Sequence, residues 1–466
     1  SLYELGIFSA GLLFFFLFRS LYLSYAVIRA RKKITLVIGG WGTRGKSGVE
    51  RLKASLFEAL GHGLVNKTTG CEAMFLHAFP FGKTREMFLF RPYDKATIWE
   101  HHNILCMTQK LKSKVFLWEC MALSPPFVTI LQQQWTRDDF STITNTYPDH
   151  EDIQGPAGIN IPQVMANFIP RKSVLITSEE QMQPILTQAA KEKETKIEYT
   201  GWLESGLLTS DVLGRFTYKE HPSNVALVLK LAKILDIDPD FAVREMAERV
   251  VPDLGALKSF PVASMKKRRI EFVNGMSANE RFATIGNWKR MLFESHDYEK
   301  NPEIITSTLV NNRADRITRS RMFASIIVED LNADHHFLIG SNLSGLLGFI
   351  DTAWEDYLKE ISLFSKDNHD TEFSFHTFTS LSRKMRIPLS SDTIMKRVLS
   401  MFKDLEVELS ETEIKNALTH PSSLIATIES KDLPTETREV IGYIEKWNKE
   451  LEEFVKFQNK IKNEPP

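Results

Sequence analysis

The stretch Gly40-Trp41-Gly42-Thr43-Arg44-Gly45-Lys46-Ser47 constrains this chain more than any other, because it fits G-x-x-x-x-G-K-[ST] in the context that the motif needs. Ile34-Thr35-Leu36-Val37-Ile38 before it is a short, β-branched apolar run, the pattern of a buried parallel strand. After it, Val49, Leu52, Leu56 and Leu60 fall on one helical face, and Gly61 stops the helix. Strand, glycine loop and helix start therefore come in order. Glycines let backbone N–H groups approach phosphate oxygens, and the helix N-terminus adds partial positive charge. The segment predicts an ATP site in which Gly42, Thr43, Arg44 and Gly45 wrap the phosphates. Lys46 reaches the terminal phosphates, and the Ser47 hydroxyl holds Mg²⁺.

A P-loop alone does not choose among a kinase, a motor, a transporter ATPase and a ligase. Two later strand ends narrow the field. Val115-Phe116-Leu117-Trp118 is a second buried-strand pattern and ends in Glu119, a carboxylate placed beside the nucleotide crevice and able to bind Mg²⁺. Phe140-Ser141-Thr142-Ile143-Thr144-Asn145 leads into a polar cluster with Asp149, His150 and Asp152. There His150 is a candidate second metal ligand, and Asp149 or Asp152 its support.

The N-terminus adds an apolar segment, Leu5 to Ile28, interrupted by Arg19 and bordered by Arg29, Arg31, Lys32 and Lys33. About 20 such residues span a bilayer, and the basic flank places the rest of the chain in the cytoplasm. We expect a transmembrane anchor with Tyr3, Tyr22 and Tyr25 near the interfaces; Arg19 at mid-span should face a partner or snorkel. Ser1 in place of Met implies a natural start further upstream. Lys+Arg 58 against Asp+Glu 59 gives no pull toward nucleic acid, and three cysteines without ligand spacing fit a reducing compartment.

Together, Gly42-Thr43-Arg44-Gly45-Lys46-Ser47, the Glu119 strand end and Asn145-x-x-x-Asp149-His150-x-Asp152 resemble the Mur ligase superfamily, which includes cell-wall amino-acid ligases and folylpolyglutamate synthase. Within it the chain is similar to the catalytic ligase subunits of bacterial poly-γ-glutamate (capsule) synthases. That closer likeness rests on Lys67-Thr68-Thr69-Gly70, Glu119-Cys120-Met121-Ala122, Asp149 to Pro156, Phe272-Val273-Asn274-Gly275, Ala278-Asn279-Glu280, Trp288-Lys289-Arg290 and Asn312-Arg313-Ala314-Asp315-Arg316. The resemblance implies an ATP- and Mg²⁺-dependent amide ligase that adds glutamate to a growing poly-γ-glutamate chain through an acyl phosphate, releasing ADP and phosphate. Small membrane-protein partners of a synthase complex are implied too.

By the same resemblance, Lys46, Glu119 and His150 are catalytic, and Ser47, Glu119 and His150 hold the metal. Asn224 lies near the adenine, and Arg313 and Asp315 match a third-domain signature that touches ribose or the incoming amino acid. Gln163 to Asn167 lacks the lysine that many Mur ligases carbamoylate, so a second metal would be held differently. The Gly-Asn-rich loop that usually ends the subfamily is missing before Pro466. The alternatives are a P-loop ATPase coupled to polymer export or assembly, and another Mur or folylpolyglutamate-type glutamate ligase.

The expected architecture is α/β. An anchor with its basic flank occupies 1–33, and a Mur-ligase-like P-loop domain with a parallel sheet 34–258. A smaller Rossmann-like α/β domain comes next over 259–350, then a mostly helical extension over 351–466. Strands are expected at Ile270–Val273, Ile304–Val310 and His336–Ile339, and helices near Glu280–Phe293 and Arg316–Asp330. Ala73 to Thr97, rich in Phe, Arg and Pro, reads as an irregular active-site loop.

Overall fold

The computed structural model describes residues 2–360, apart from 70–71, 92–95, 149–150, 156, 266–267, 297–300 and 302–303, with a few isolated positions beyond 360. The chain divides into two compact units, one made of Ser1–Ser259 with Val273–Ser277, the other of Phe260–Phe272 with Ala278–Pro466.

The first unit is built on an eight-stranded sheet: β1 (Leu36–Trp41), β2 (Leu64–Thr68), β3 (Met74–Ala78), β4 (Arg85–Phe88), β5 (Val115–Glu119), β6 (Phe140–Ile143), β7 (Val174–Thr177) and β8 (Lys196–Tyr199). Their order across the sheet is β4-β3-β2-β5-β1-β6-β7-β8. From β2 to β8 every neighbouring pair is parallel; β3 and β4 join as an antiparallel extension. Strands β2, β3 and β5 are buried along their whole length, which accounts for runs such as Val115-Phe116-Leu117-Trp118 that do not alternate. Two layers of apolar side chains cover the two faces. One gathers Val37, Phe116, Trp118, Phe168 and Leu175; the other gathers Ile38, Leu52, Leu117, Val225 and Leu231.

Between β3 and β4 the structure differs from the expected irregular loop. Ala73 to Thr97 contains both strands, paired from Met74↔Phe88 to His77↔Arg85. The sequence hides them because β3 is short and wholly buried, without alternation, while β4 is an exposed edge carrying Arg85 and Glu86.

The helix α1 (Leu2–Lys33) is long and apolar enough to cross a membrane by length and composition. Only its C-terminal half meets the rest of the unit. Val27 and Ala30 are buried, Leu23 is half-buried, and every residue from Leu2 to Phe18 is exposed. Arg31 fastens the end of α1: its Nη2 lies 2.8 Å from Asp139 Oδ1 and donates to the Arg137 carbonyl at 2.9 Å, while Asp139 Oδ2 accepts from the Val37 amide.

The second unit contains a parallel strand pair, Ser307–Asn312 with His335–Gly340, in register from Ser307↔His335 to Asn312↔Gly340. The helix Arg281–Arg290 precedes this pair, the helix Ile317–Ser325 with its π-helical continuation Ile326–Asp330 connects the two strands, and the helix Leu343–Glu360 comes after them. The expected single strand Ile270–Val273 is two pieces with different partners: Arg268–Ile270 pairs with Ala263–Met265, and Val273–Asn274 with Lys258–Ser259. Leu343–Glu360 runs through position 350, where a boundary is expected. Apart from isolated positions, the extension beyond Glu360, with the pattern at Ser410–Glu413 and the helical spacing after Thr435, lies outside the described residues.

Candidate active site

The glycine loop springs from the central strand of the sheet. Gly40 of β1 is in register with Glu119 on one side and Thr142 on the other, so the carboxyl ends of β5, β1 and β6 converge where the loop begins. Gly42 has φ +145° and Gly45 φ +81°, and Gly45 is the residue from which the helix α2 (Lys46–Ala59) starts. A side chain at Gly45 would meet Asn224 Oδ1 at 2.4 Å, so this position has both a conformational and a steric reason to be glycine.

Gly39 and Gly40 do something the motif alone does not tell. They lie within β1, not in the loop, and each makes room for a buried carboxylate on an opposite face. A Cβ on Gly39 would come within 2.1 Å of Asp138 Oδ2, and one on Gly40 within 1.8 Å of Glu50 Oε1.

The loop is braced against the end of β6. Asn145 Oδ1 accepts from the Arg44 amide at 2.9 Å, Asn145 Nδ2 donates to the Arg44 carbonyl at 3.1 Å, and the Thr43 hydroxyl donates to the Tyr147 carbonyl at 2.7 Å. The Lys46 ammonium donates to the Thr43 carbonyl at 3.3 Å and so lies folded over the loop.

Ser47 and Glu119, which the sequence marks separately, are in direct contact: the Ser47 hydroxyl donates to Glu119 Oε2 at 2.8 Å. Glu119 is fully buried, and the same oxygen accepts from the Thr69 amide at 2.7 Å while Oε1 accepts from the Thr69 hydroxyl. Two hydroxyls and a carboxylate form a hard-oxygen donor set of the kind that suits Mg²⁺, which typically takes one or two carboxylates with waters and phosphate oxygens. Sequence reasoning does not single out Thr69; the polar, glycine-ended stretch Asn66 to Gly70 reads as a substrate-facing loop, but Asn66–Thr68 are the buried end of β2 and Thr69 follows it.

Asn224 reaches the loop from the start of the helix Pro222–Ile234. Its Nδ2 donates to Glu220 Oε1 at 2.8 Å, and Glu220 also accepts from the Tyr218 hydroxyl at 2.5 Å and the His221 amide at 2.8 Å. Sequence reasoning misses Glu220; the available signal is an acid just ahead of a helix-starting proline.

Around this end of the sheet the interior is charged. Lys53 Nζ contacts Glu50 Oε1 and donates to Thr142 Oγ1 at 3.2 Å, with both side chains of the pair fully buried. Burial raises the Glu50 carboxyl to about 8 and lowers the Lys53 ammonium. Asp138 accepts from Trp118 Nε1 at 2.8 Å, Gln132 Nε2 at 2.7 Å and Ser141 Oγ at 3.0 Å, yet burial still raises it to about 6. Lys67, beside Glu100 Oε2 at 3.3 Å, is pushed down to about 8 by burial. His101 lies against Trp118, is held far below the usual histidine range by burial, and bonds through Nε2 to the Glu119 carbonyl at 2.9 Å.

The structure thus brings Gly42, Thr43, Arg44, Gly45, Lys46, Ser47, Glu119 and Asn224 to one end of one sheet. His150, with Asp149, lies outside the described residues. Arg313 and Asp315 belong to the second unit, where Arg313 Nε and Nη2 grip the two Asp315 oxygens, each at 3.0 Å, and hold that carboxyl below its usual range. The Ala314 amide between them donates to Ser341 Oγ at 2.9 Å.

Comparison with known proteins gives the chain's relatives. The family model for the poly-gamma-glutamate synthase CapB C-terminal domain matches residues 259–429. PGA synthase CapB of Bacillus subtilis (strain 168) is 30% identical over 299 residues, 64% of this chain and 73% of that protein. The capsule biosynthesis protein CapB of Bacillus anthracis is 28% identical over 299 residues, 64% of this chain and 62% of that protein. Among solved structures, E. coli FolC in complex with ADP aligns over 73% of this chain and 87% of its own, with a TM-score of 0.48 and 15% identity. A bifunctional folylpolyglutamate synthase/dihydrofolate synthase from Yersinia pestis CO92 aligns over 78% and 93%, with a TM-score of 0.47 and 14% identity. On the identity and coverage of the B. subtilis relative, the chain belongs to the poly-gamma-glutamate synthase CapB family.

Proposed function

We propose that this chain is an ATP-dependent carboxylate–amine ligase that lengthens poly-γ-glutamate. The observation that supports it best is the Ser47–Glu119–Thr69 contact beside the Lys46 loop, in a member of the CapB family. The terminal carboxylate of the growing chain attacks the γ-phosphorus of ATP, and the bond from that phosphorus to the bridging oxygen breaks to release ADP. The amine of an incoming glutamate then attacks the acyl carbon and loses a proton, and phosphate leaves with one oxygen of the original carboxylate.

Lys46 and the loop amides hold the phosphates and offset the charge that spreads over the transferring group. Glu119, Ser47 and Thr69 would hold Mg²⁺, which supplies further neutralisation of that charge when bound. His150 is the proposed further ligand. Asn224 supports the loop and reads the nucleotide, and Arg313 with Asp315 contacts the ribose or the incoming glutamate. We also assign α1 to the membrane with both units on the cytoplasmic side, in line with the basic residues Arg29, Arg31, Lys32 and Lys33, and with small membrane proteins as partners of the complex.

The test is ATP turnover by the purified full chain in detergent, with each amino acid supplied in turn alongside a poly-γ-glutamate primer. Glutamate-dependent ADP release is expected, falling at least about 100-fold in Lys46→Ala, as for loss of one charge-stabilising group in a closed site. Turnover of the same size without any amino acid, or unchanged in Lys46→Ala, contradicts the proposal.

A further inference from the structure

At the root of α1 the helix does not simply leave the protein. Its residues Phe16, Arg19, Ser20, Leu23, Ser24, Val27 and Ala30 recur at helical spacing and form one stripe. Its lower part, Leu23, Val27 and Ala30, packs onto the first unit, and the Leu23 carbonyl accepts from His102 Nε2 at 3.2 Å. One face of these turns is covered by protein while Leu21, Tyr22 and Tyr25 on the other stay exposed, so lipid cannot surround them. The wholly exposed segment Leu2–Phe18, apolar apart from Glu4 and Ser9, is already roughly 25 Å long at 1.5 Å per residue, against a hydrocarbon layer of about 30 Å. The membrane boundary therefore falls near Arg19, several turns earlier than the basic cluster Arg29–Lys33 implies.

A cleft of about 220 Å³ opens at that level. Arg19, Ser20 and Ser24 line it from α1 together with apolar Phe16 and Leu23, and Trp99, His102 and Trp135 line it from the rest of the first unit. The three rings pack on one another with centroids 5.5 Å apart, and Trp99 is half exposed. Indoles at the apolar boundary, one guanidinium and two hydroxyls are the groups that hold a phospholipid headgroup: tryptophan favours the interfacial layer, and arginine binds phosphate oxygens by paired N–H bonds.

We infer that this cleft seats the headgroup of an anionic phospholipid, with Arg19 on its phosphate and Trp99 and Trp135 in the interfacial layer, so that the ligase unit lies flush on the membrane. The inference rests on the assignment of α1 to the membrane. It turns the arginine that interrupts the apolar segment into a recognition group.

The experiment uses the full chain in nanodiscs of phosphatidylcholine and phosphatidylglycerol in equal amounts, with the lipids that stay bound after release identified by native mass spectrometry. The wild type should retain phosphatidylglycerol selectively. Arg19→Gln should lose that selectivity by roughly fivefold, the effect of one basic residue at a membrane surface. Arg29→Gln, an exposed charge off the cleft stripe, should keep it. Equal losses in the two variants, or no selectivity in the wild type, overturn the inference in favour of a diffuse basic surface or a protein occupant. Extraction of the wild-type chain from membranes by alkaline carbonate would sink the anchor assignment itself, whereas carbonate resistance without lipid selectivity would sink only the cleft.

Discussion

The two units bury their strands to very different degrees. In the first, β2, β3 and β5 are buried at every position, and even charged side chains such as Glu50, Lys53, Lys67 and Glu119 are enclosed. In the second, Ser307–Asn311 and His335–Ile339 alternate between exposed and half-buried residues, with only Asn312 buried, and the charged pairs, Arg313–Asp315 and Arg281 with Glu329 and Asp330, reach solvent. Burial fixes dipoles and charges before a ligand arrives, which suits a phosphate site whose chemistry is stabilisation of charge. Accessible pairs can exchange partners, which suits the role proposed for Arg313 and Asp315, contact with the ribose or the incoming glutamate.

If that contrast is sound, breaking a buried pair should cost more than breaking an exposed one. Lys53→Met leaves the Glu50 carboxyl enclosed without its hydrogen-bond partner and should lower stability by about 2 kcal/mol in a urea titration of the full chain in detergent. Adding Glu50→Gln to that variant should recover much of the loss. Arg281→Met, which breaks the partly exposed contacts with Glu329 and Asp330, should cost less, about 1 kcal/mol. Similar costs for the two single variants would break the comparison.

Much of this is legible in the sequence, and the reasons are specific. The Lys46–Ser47 loop is a continuous motif whose flanks announce a strand and a helix, and Glu119 is marked by the apolar run it ends. The buried charges are not legible. On a helix, Glu50 and Lys53 read as a solvated face, and only the layers packed around α2 enclose them. The double glycine at Gly39–Gly40 reads as phosphate-binding flexibility, but its role in β1 is to admit Asp138 and Glu50, which come from distant parts of the chain. The strands β3 and β4 lack alternation for opposite reasons, one enclosed on both faces and the other an edge.

Asp138 gives a pH-dependent version of the same contrast. Its folded value, raised to about 6 by burial, lies above the ordinary 3.8, so the folded state holds the proton more tightly than the unfolded chain. The stability this contributes is present in full below the unfolded value and is lost as pH rises through about 6. The wild type should therefore lose about 2 kcal/mol relative to Asp138→Asn between pH 4 and pH 7, read as the difference between their urea midpoints. A constant difference would show that Asp138 stays in one protonation state.

The smallest expected effect on stability is at Arg313. Its pair with Asp315 is more than half exposed, so Arg313→Ala should leave the melting temperature where it is. The KM for glutamate or for ATP should rise, and which of the two rises identifies the ligand of the Arg313–Asp315 pair. An unchanged KM for both would remove that pair from the site.

The central claim is that a carboxylate oxygen of the growing chain is phosphorylated before the amide forms. Poly-γ-glutamate primer carrying ¹⁸O in its carboxylates, incubated with ATP, Mg²⁺ and glutamate, tests it directly. The account predicts one ¹⁸O in each phosphate released with chain extension, and ADP as the only nucleotide product. Unlabelled phosphate accompanying real extension, or AMP in place of ADP, would contradict it.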